Sequence, residues 1–318
     1  SSDLKYQMAE QSLKDKTAKG LFWGGVSNGV QQLLGMLFGI YLARTLNAED
    51  YGLVGMLAIF SGIASTIINS GFSVALTNKL DATHKDYNAV FWFSFVVSIC
   101  LYIVLFFSAP MIASFYDRQE LVNLSRVIFA SFLFSGMAIV PHVILFKQLQ
   151  VKIQAKIDVF ALFLSGICGV LLAFNGFAYW ALAIQSTVYV ASVSLLKWMV
   201  VSWRPSLDFS IEPLKEMFPF SVKLFLTNIF QQVNNNVFSV LLGKLYNANV
   251  LGYYSQGNKW MTMGGSMLNN MINSVAQPVF VQVNDDLERQ RNVFRKMVRF
   301  AAFVSFPAML GLAFVAEE

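Results

Sequence analysis

Long apolar stretches separated by short polar segments dominate the chain. Stretches without Asp, Glu, Lys or Arg run over residues 20–43, 51–78, 87–116, 127–146, 159–196, 224–243, 260–284 and 300–316, and a membrane-spanning helix needs about 20 such residues. The stretch 159–196 would form about 57 Å of helix, too long for one crossing, and Asn175-Gly176 near its middle is typical of a turn. The pattern therefore predicts an all-α integral membrane protein with about nine transmembrane helices.

Composition supports this prediction. The chain of 318 residues is 56% hydrophobic and 13% charged, whereas soluble domains carry about 25% charged residues. These values exclude a soluble globular domain, a disordered chain and a coiled coil. Cys100 and Cys168 both lie inside apolar stretches, so neither a disulfide framework nor a Cys-x-x-Cys metal site is predicted.

The distribution of basic residues predicts the orientation. Most of the 23 Lys and Arg residues lie in the N-terminal segment and in every second polar segment after it. Because cytoplasmic loops are enriched in Lys and Arg, the N-terminus is predicted to be cytoplasmic. The net charge of +5 is thus explained by topology, and no nucleic-acid partner is expected.

An internal repeat appears when the sequence is shifted by 200 residues. Residues 27–55 then match 227–255 without a gap, with identities that include Gln31-Gln32 with Gln231-Gln232 and Gly52 with Gly252. Six predicted helices separate the copies, so both cross in the same direction and an axis along the membrane normal should relate them. The predicted organisation is a cytoplasmic tail 1–19, a six-helix lobe 20–203, a cytoplasmic linker 204–217 and a partial second lobe 218–318, truncated after three helices.

Polar amides cluster in the repeated helices. In lipid-embedded helices such amides either join helices or line a polar pathway. For any single amide side chain, a hydrogen bond that joins two helices is the simpler interpretation. The clustering of these amides favours a hydrophilic cavity between the lobes. The predicted cavity residues are Asn28, Gln31, Gln32, Asn69, Asn228, Gln231, Gln232, Asn235, Asn269 and Asn273.

Two cations complete the predicted cavity, namely Lys259 beside the seventh stretch, 260–284, and Arg126 beside the start of the fourth, 127–146. A cation facing a cleft can hold a phosphate or pyrophosphate, although snorkelling to the interface is an alternative for Arg126. No acidic residue lies in the middle of a predicted span, so no carboxylate for ion coupling is predicted. Catalytic and nucleotide-binding motifs are missing too, so we expect no enzyme, no cofactor and no metal site.

Several motifs resemble the Wzx-type polysaccharide flippases. They are the run of residues 20–23, Gln31-Gln32, the run 49–55, Ser70-Gly71-Phe72 and the run 251–254. The similarity extends along nearly the whole chain and implies a MATE-like fold of two six-helix lobes, with 12 to 14 helices in the intact protein. The run 49–55 is interpreted as a structural turn.

The resemblance implies a function. Members of this family are expected to move an undecaprenyl-pyrophosphate-linked oligosaccharide from the cytoplasmic to the periplasmic leaflet of the bacterial inner membrane. Membrane lipid, a polysaccharide polymerase and assembly proteins are the implied partners. Two alternatives stay open: a cation-coupled multidrug or small-solute antiporter of the same fold, and a non-transporting scaffold of the polysaccharide assembly complex.

Overall fold

A computed structural model describes residues 2–263, with gaps at positions 70, 80 and 208–209, and short pieces between residues 291 and 314. For residues 2–22 it describes the backbone alone. Two compact units are distinguished, Ser1–Ser255 and Gln256–Glu318. In the second unit, residues 256–263 are helical, and Thr262 Oγ1 donates to the Asn258 carbonyl at 2.5 Å.

The described part of the chain is almost entirely helical and contains no strand. A further helical segment of the first unit, 248–255, follows its nine helices. Those helices are α1 (Ser2–Thr45), α2 (Ala48–Met56), α3 (Ala58–Asn69), α4 (Phe72–Asn78), α5 (His84–Tyr116), α6 (Glu120–Lys147), α7 (Val151–Phe174), α8 (Tyr179–Val200) and α9 (Glu212–Leu245).

Five segments of the described residues are long and apolar enough to cross a membrane. They are Ala48–Asn78, which combines α2 to α4, and the four helices α5 to α8. The predicted division of 159–196 is confirmed: α7 ends at Phe174, Gly176 adopts φ +78° and α8 begins at Tyr179. Helices α1 and α9 are not among these five segments, because their many amide side chains make them less apolar. The predicted stretches 260–284 and 300–316 lie mostly outside the described residues.

The first unit is a bundle in which α5 packs on α6, α6 on α8, α8 on α7, and α7 on α1. Its core is apolar, and Phe129, Leu124 and Val140 are completely buried. The segment after α8 is fixed to the start of α5. There the Trp92 indole donates to the Ser206 carbonyl at 2.7 Å, and the Ser206 amide donates to Asn88 Oδ1 at 2.9 Å.

The predicted repeat has the same local structure in both copies. In each copy a helix ends at residue 45 or 245, two residues interrupt it, and a new helix begins at residue 48 or 248. Asp50 Oδ2 accepts the Asn47 amide at 3.0 Å in the first copy, and Asn247 Oδ1 accepts the Val250 amide at 2.9 Å in the second. The run 49–55 therefore belongs to helix α2, and its interpretation as a turn is wrong.

The two copies cross each other at equivalent positions. A Cβ atom placed on Gly52 would lie 1.8 Å from the Ala248 carbonyl oxygen, and one on Gly252 would lie 1.7 Å from the Ala48 carbonyl oxygen. In each helix an alanine and a glycine are thus separated by three residues, a spacing that allows helix backbones to approach closely in membranes. We call this reciprocal contact of Ala48, Gly52, Ala248 and Gly252 the small-residue crossing.

Helix α9 packs mainly against α3 and is held by an ion pair near each end. Near its start, Lys79 Nζ lies 2.6 Å from Glu216 Oε2 and 3.0 Å from Asp86 Oδ1. Near its end, Lys244 Nζ lies 3.1 Å from Asp117 Oδ2. The ion pairs with Glu216, and next with Asp86, raise the pKa of Lys79 above its usual 10.5.

Replacing Lys79 with methionine is expected to lower stability by about 1 kcal/mol or less, since Glu216 is mostly exposed and solvent screens the pair. Because the pKa of Lys79 is raised, its contribution is fully present below pH 10.5 and is lost as the pH rises through the raised value. Thermal unfolding in detergent at neutral pH measures the effect, with the exposed Lys85→Met as the control. Equal losses for both variants would contradict this role of Lys79.

Candidate functional site

A polar pocket of about 330 Å³ opens between α3, α4, α6 and α8. Residues spaced by three and four positions place one face of α6 along it, and faces of α3 and α8 complete its wall. Its lining consists of Ser65, Ile68, Asn69, Ser73, Ser135, Ala138, Ile139, His142, Tyr189, Val190, Val193 and Lys197. Three serines, an asparagine and two basic side chains thus meet inside an otherwise apolar bundle.

The ammonium group of Lys197 is the central feature of this pocket. Lys197 is only 8% exposed, and its Nζ lies 3.3 Å from His142 Nδ1. Because an ammonium group only donates hydrogen bonds, this contact requires a lone pair on Nδ1, which places the imidazole proton on Nε2. His142 itself is exposed, so its Nε2–H is available to a ligand.

A carboxylate provides the opposite charge. Asp158 of α7 interacts electrostatically with Lys197 and with Tyr189, both on α8. A buried charge is costly unless an opposite charge compensates it. Half-buried Asp158 supplies such a charge for Lys197 without a direct ion pair. We call Asp158, His142 and Lys197 the Lys197 cluster.

All parts of this site lie near the same ends of their helices. Lys197 and His142 are within two turns of the ends of α8 and α6, and Asp158 is two turns from the start of α7. Asn69 is the last residue of α3, and its amide donates to the Ser65 carbonyl at 2.8 Å. According to the predicted orientation, these ends face the cytoplasm.

The arrangement suits an anion better than a metal ion. Lys197 and the His142 Nε2–H can donate to a phosphate or carboxylate, and the Asn69 Oδ1 and serine hydroxyl groups can bind sugar hydroxyls. Among the described residues, no three His, Cys, Asp or Glu side chains are grouped to hold a metal ion.

The predicted cavity residues separate into groups in the structure. Asn69 lies in the polar pocket. On α1, Gln31 donates to Ser27 Oγ at 2.9 Å, Gln32 is half-buried and Asn28 is exposed. On α9, a Cβ placed on Gly62 of α3 would lie 2.6 Å from Gln232 Oε1, so Gln232 packs between helices. The exposed face of α9 carries the other predicted amides, Asn228, Gln231 and Asn235.

The predicted cations lie elsewhere. The Arg126 guanidinium stacks 4.2 Å from the centre of the Phe106 ring, and sixteen residues, or about 24 Å of helix, separate it from His142. Lys259 is exposed in the second unit. Asn269 and Asn273 lie outside the described residues. A shared cavity lined by these residues stays a prediction.

Sequence reasoning missed the Lys197 cluster. The expectation concerned the middle of each span, and Asp158 lies outside that middle, two turns from the start of α7, but within the segment Val151–Phe174 that is long and apolar enough to cross a membrane. Delimiting spans by their charges assigns every charge near a helix end to a loop, which excludes both Asp158 and Lys197. A carboxylate and a lysine flanking the stretch 159–196 at opposite sequence ends are the signal that could have found the pair.

Comparison with characterised sequences gives consistent relatives. The chain is 27% identical to the teichuronic acid biosynthesis protein TuaB of Bacillus subtilis (strain 168), over 96% of this chain and 64% of that protein. It is 22% identical to the lipopolysaccharide biosynthesis protein WzxC of Escherichia coli (strain K12), over 96% of this chain and 63% of that protein. The chain therefore spans slightly less than two thirds of the length of these relatives.

Solved structures and a family model agree with the helical bundle. An inward-facing multidrug resistance MATE family transporter of the MOP superfamily superimposes with a TM-score of 0.60 at 18% identity, covering 93% of this chain and 69% of that chain. The MATE multidrug transporter DinF-BH gives 0.61 at 15% identity, covering 95% and 75%. The model of the polysaccharide biosynthesis protein family matches residues 41–318. The chain is thus a multi-pass membrane protein with a MATE-like fold, and it belongs to the polysaccharide biosynthesis protein family.

Proposed function

We propose that this protein moves a lipid-linked oligosaccharide across the bacterial inner membrane, from the cytoplasmic to the periplasmic leaflet. Undecaprenyl pyrophosphate is the proposed carrier, and the N-terminus lies in the cytoplasm. A polysaccharide polymerase and assembly proteins are its proposed partners. Family membership supports a role in polysaccharide biosynthesis, and one relative is named the succinoglycan biosynthesis transport protein ExoT.

The observation that carries the proposal is the Lys197 cluster at the polar pocket. A lipid-linked oligosaccharide presents an anionic phosphate group next to sugar hydroxyls. The pocket offers Lys197 and His142 to the anion, and serine hydroxyls and Asn69 to the sugars. Since these groups lie near the predicted cytoplasmic ends of the helices, they suit capture of the substrate from the cytoplasmic side.

The small-residue crossing supports alternating access as the mechanism. Ala48 and Ala248 begin the helices that follow the predicted periplasmic ends of α1 and α9. Close backbone contact there, with the polar pocket near the opposite ends, is the arrangement expected of a state closed towards the periplasm. Separation of the crossing would then open the path to that side.

Complementation tests the proposal. The gene that carries this sequence is expressed in a bacterial strain deprived of its own oligosaccharide transporter, and surface polysaccharide and inner-leaflet lipid-linked repeat units are measured. Lys197→Met is expected to lower surface polysaccharide at least about tenfold, with accumulation of lipid-linked units, because a charge-assisted hydrogen bond to the anionic group is lost. The exposed Lys215→Met is the control. Equal export by both variants at equal protein levels would contradict the proposal.

Asp158 keeps the antiporter alternative in consideration. A cation-coupled multidrug or small-solute antiporter requires a membrane-embedded carboxylate, and Asp158 lies inside α7. Its charge interaction with Lys197, however, indicates a carboxylate that balances a lysine. Drug efflux that depends on Asp158, in a strain where no polysaccharide is restored, would favour the antiporter.

A further inference from the structure

An apolar groove of about 380 Å³ runs between α1 and α7, separate from the polar pocket. Its walls are formed by one face of each helix and are apolar apart from Ser27 and Lys156. The lining residues are Trp23, Val26, Ser27, Val30, Leu34, Ala155, Lys156, Val159, Phe160 and Phe163. Ser27 is 7% exposed, and its Oγ accepts a hydrogen bond from Gln31 at 2.9 Å, so this polar atom is already satisfied.

Two lysines mark one end of this groove. Lys152 and Lys156 are four residues apart on α7, so their side chains share one helix face. The Lys152 ammonium lies 4.9 Å from the centre of the Trp23 ring, and Lys156 lines the groove itself. Lys156 has no ion pair among the described residues, and both lysines are exposed. An indole beside cationic side chains is typical of a membrane–water interface.

The groove extends from this charged end into the apolar part of the bundle. From Trp23 to Leu34 along α1, and from Lys152 to Phe163 along α7, the chain advances eleven residues, or about 16 Å of helix. Phe160 is 54% and Phe163 is 47% exposed, so the groove is open along its side. A hydrocarbon chain can therefore enter it laterally, with its polar end remaining at the lysines.

We propose that the groove between α1 and α7 binds an anionic phospholipid of the surrounding membrane. One acyl chain lies along Val30, Leu34 and Phe163, and the phosphate is held by Lys152 and Lys156. Basic clusters next to membrane helices on the cytoplasmic side bind anionic head groups. This inference concerns a lipid that stabilises the first unit, and it goes beyond the proposed transport function.

The volume favours a bilayer lipid over the proposed carrier. A groove of 380 Å³ holds roughly a dozen water-sized volumes, at about 30 Å³ each. A methylene group is of similar size, so the groove accommodates most of one acyl chain. A prenyl carrier with dozens of carbons is several times larger. The charges at the rim favour an anionic over a zwitterionic head group.

Quenching of Trp23 fluorescence tests this assignment. The purified full chain in nanodiscs receives phosphatidylglycerol or phosphatidylcholine with brominated acyl chains, and the Trp23 signal is obtained as the difference between the parent and Trp23→Phe. Phosphatidylglycerol is expected to quench Trp23 at concentrations about tenfold lower than phosphatidylcholine. The doubly substituted Lys152→Gln, Lys156→Gln protein should lose that preference, as two lysines each contribute to anionic lipid binding.

The controls separate the groove from general effects. The double variant Lys215→Gln, Lys223→Gln changes two exposed lysines of α9 and should retain the preference. Leu34→Phe narrows the deep end without adding an indole and should reduce quenching while leaving the lysines intact, and thermal unfolding confirms that each variant is folded. Equal quenching by both lipids, or preferential displacement of phosphatidylglycerol by a prenyl phosphate, would overturn the proposal. Because the assay measures no export, its result is independent of the transport test.

Discussion

Replacing Gly52 or Gly252 with alanine is expected to destabilise the protein by about 2 kcal/mol in each case. A methyl group at either position would meet a backbone carbonyl oxygen of the other copy of the repeat at 1.8 or 1.7 Å. Backbone cannot move aside by a rotamer change, so the helices must separate, and overpacking of this kind costs about 1–3 kcal/mol. Thermal unfolding in detergent measures the loss.

A matched control, Gly29→Ala, is expected to increase stability instead of lowering it. Among the described residues, nothing lies within 4 Å of the position that a methyl group on Gly29 of α1 would take. Gly29→Ala therefore adds only the helix preference of alanine, about 1 kcal/mol in favour of folding. Because the two glycines make equivalent contacts in the small-residue crossing, alanine at Gly52 and alanine at Gly252 should lower stability equally. A stable Gly52→Ala protein, or losses that differ greatly between the two positions, would contradict the small-residue crossing.

Much of the fold could be predicted because its signals are local. Charge-free length predicted the five described segments that are long and apolar enough to cross a membrane, and Asn175-Gly176 gave the division between α7 and α8. The 200-residue repeat predicted that Asn47 and Asn247 occupy equivalent positions, and both precede the start of a helix. Gly52 and Gly252 matched in that repeat as well, but only the structure reveals that they contact the opposite copy.

The site could be predicted only in part, because it depends on which helix faces pack together. Among the predicted cavity residues, Asn69 lies in the polar pocket. Gln232 has the same residue type as its repeat partner Gln32, yet it packs against Gly62 of α3. From the sequence, Lys197 is interpreted as one of the cytoplasmic basic residues that determine orientation. No sequence pattern indicates that its side chain contacts His142. Residue type and spacing do not determine such tertiary contacts.

The second prediction concerns the charge interaction of Asp158 with Lys197. Asp158→Asn alone leaves a largely buried ammonium without its opposite charge, and losing an attraction between two charges that do not touch costs about 2 kcal/mol. Lys197→Met alone leaves the carboxylate without its opposite charge and should destabilise the protein to a similar extent. The double variant Asp158→Asn, Lys197→Met removes both charges, so most of the lost stability should return. Unfolding of the four proteins in one detergent provides the double-mutant cycle.

The same four proteins distinguish a structural from a transport role for the cluster. If Lys197 receives the anionic group of the substrate, the double variant should be stable but should still export at least about tenfold less polysaccharide than the parent. If Asp158 and Lys197 only stabilise the bundle, export should recover together with stability. Additive losses of stability in the double variant would show that the two charges do not interact. Recovery of stability without recovery of export is therefore the result that assigns Lys197 to the substrate.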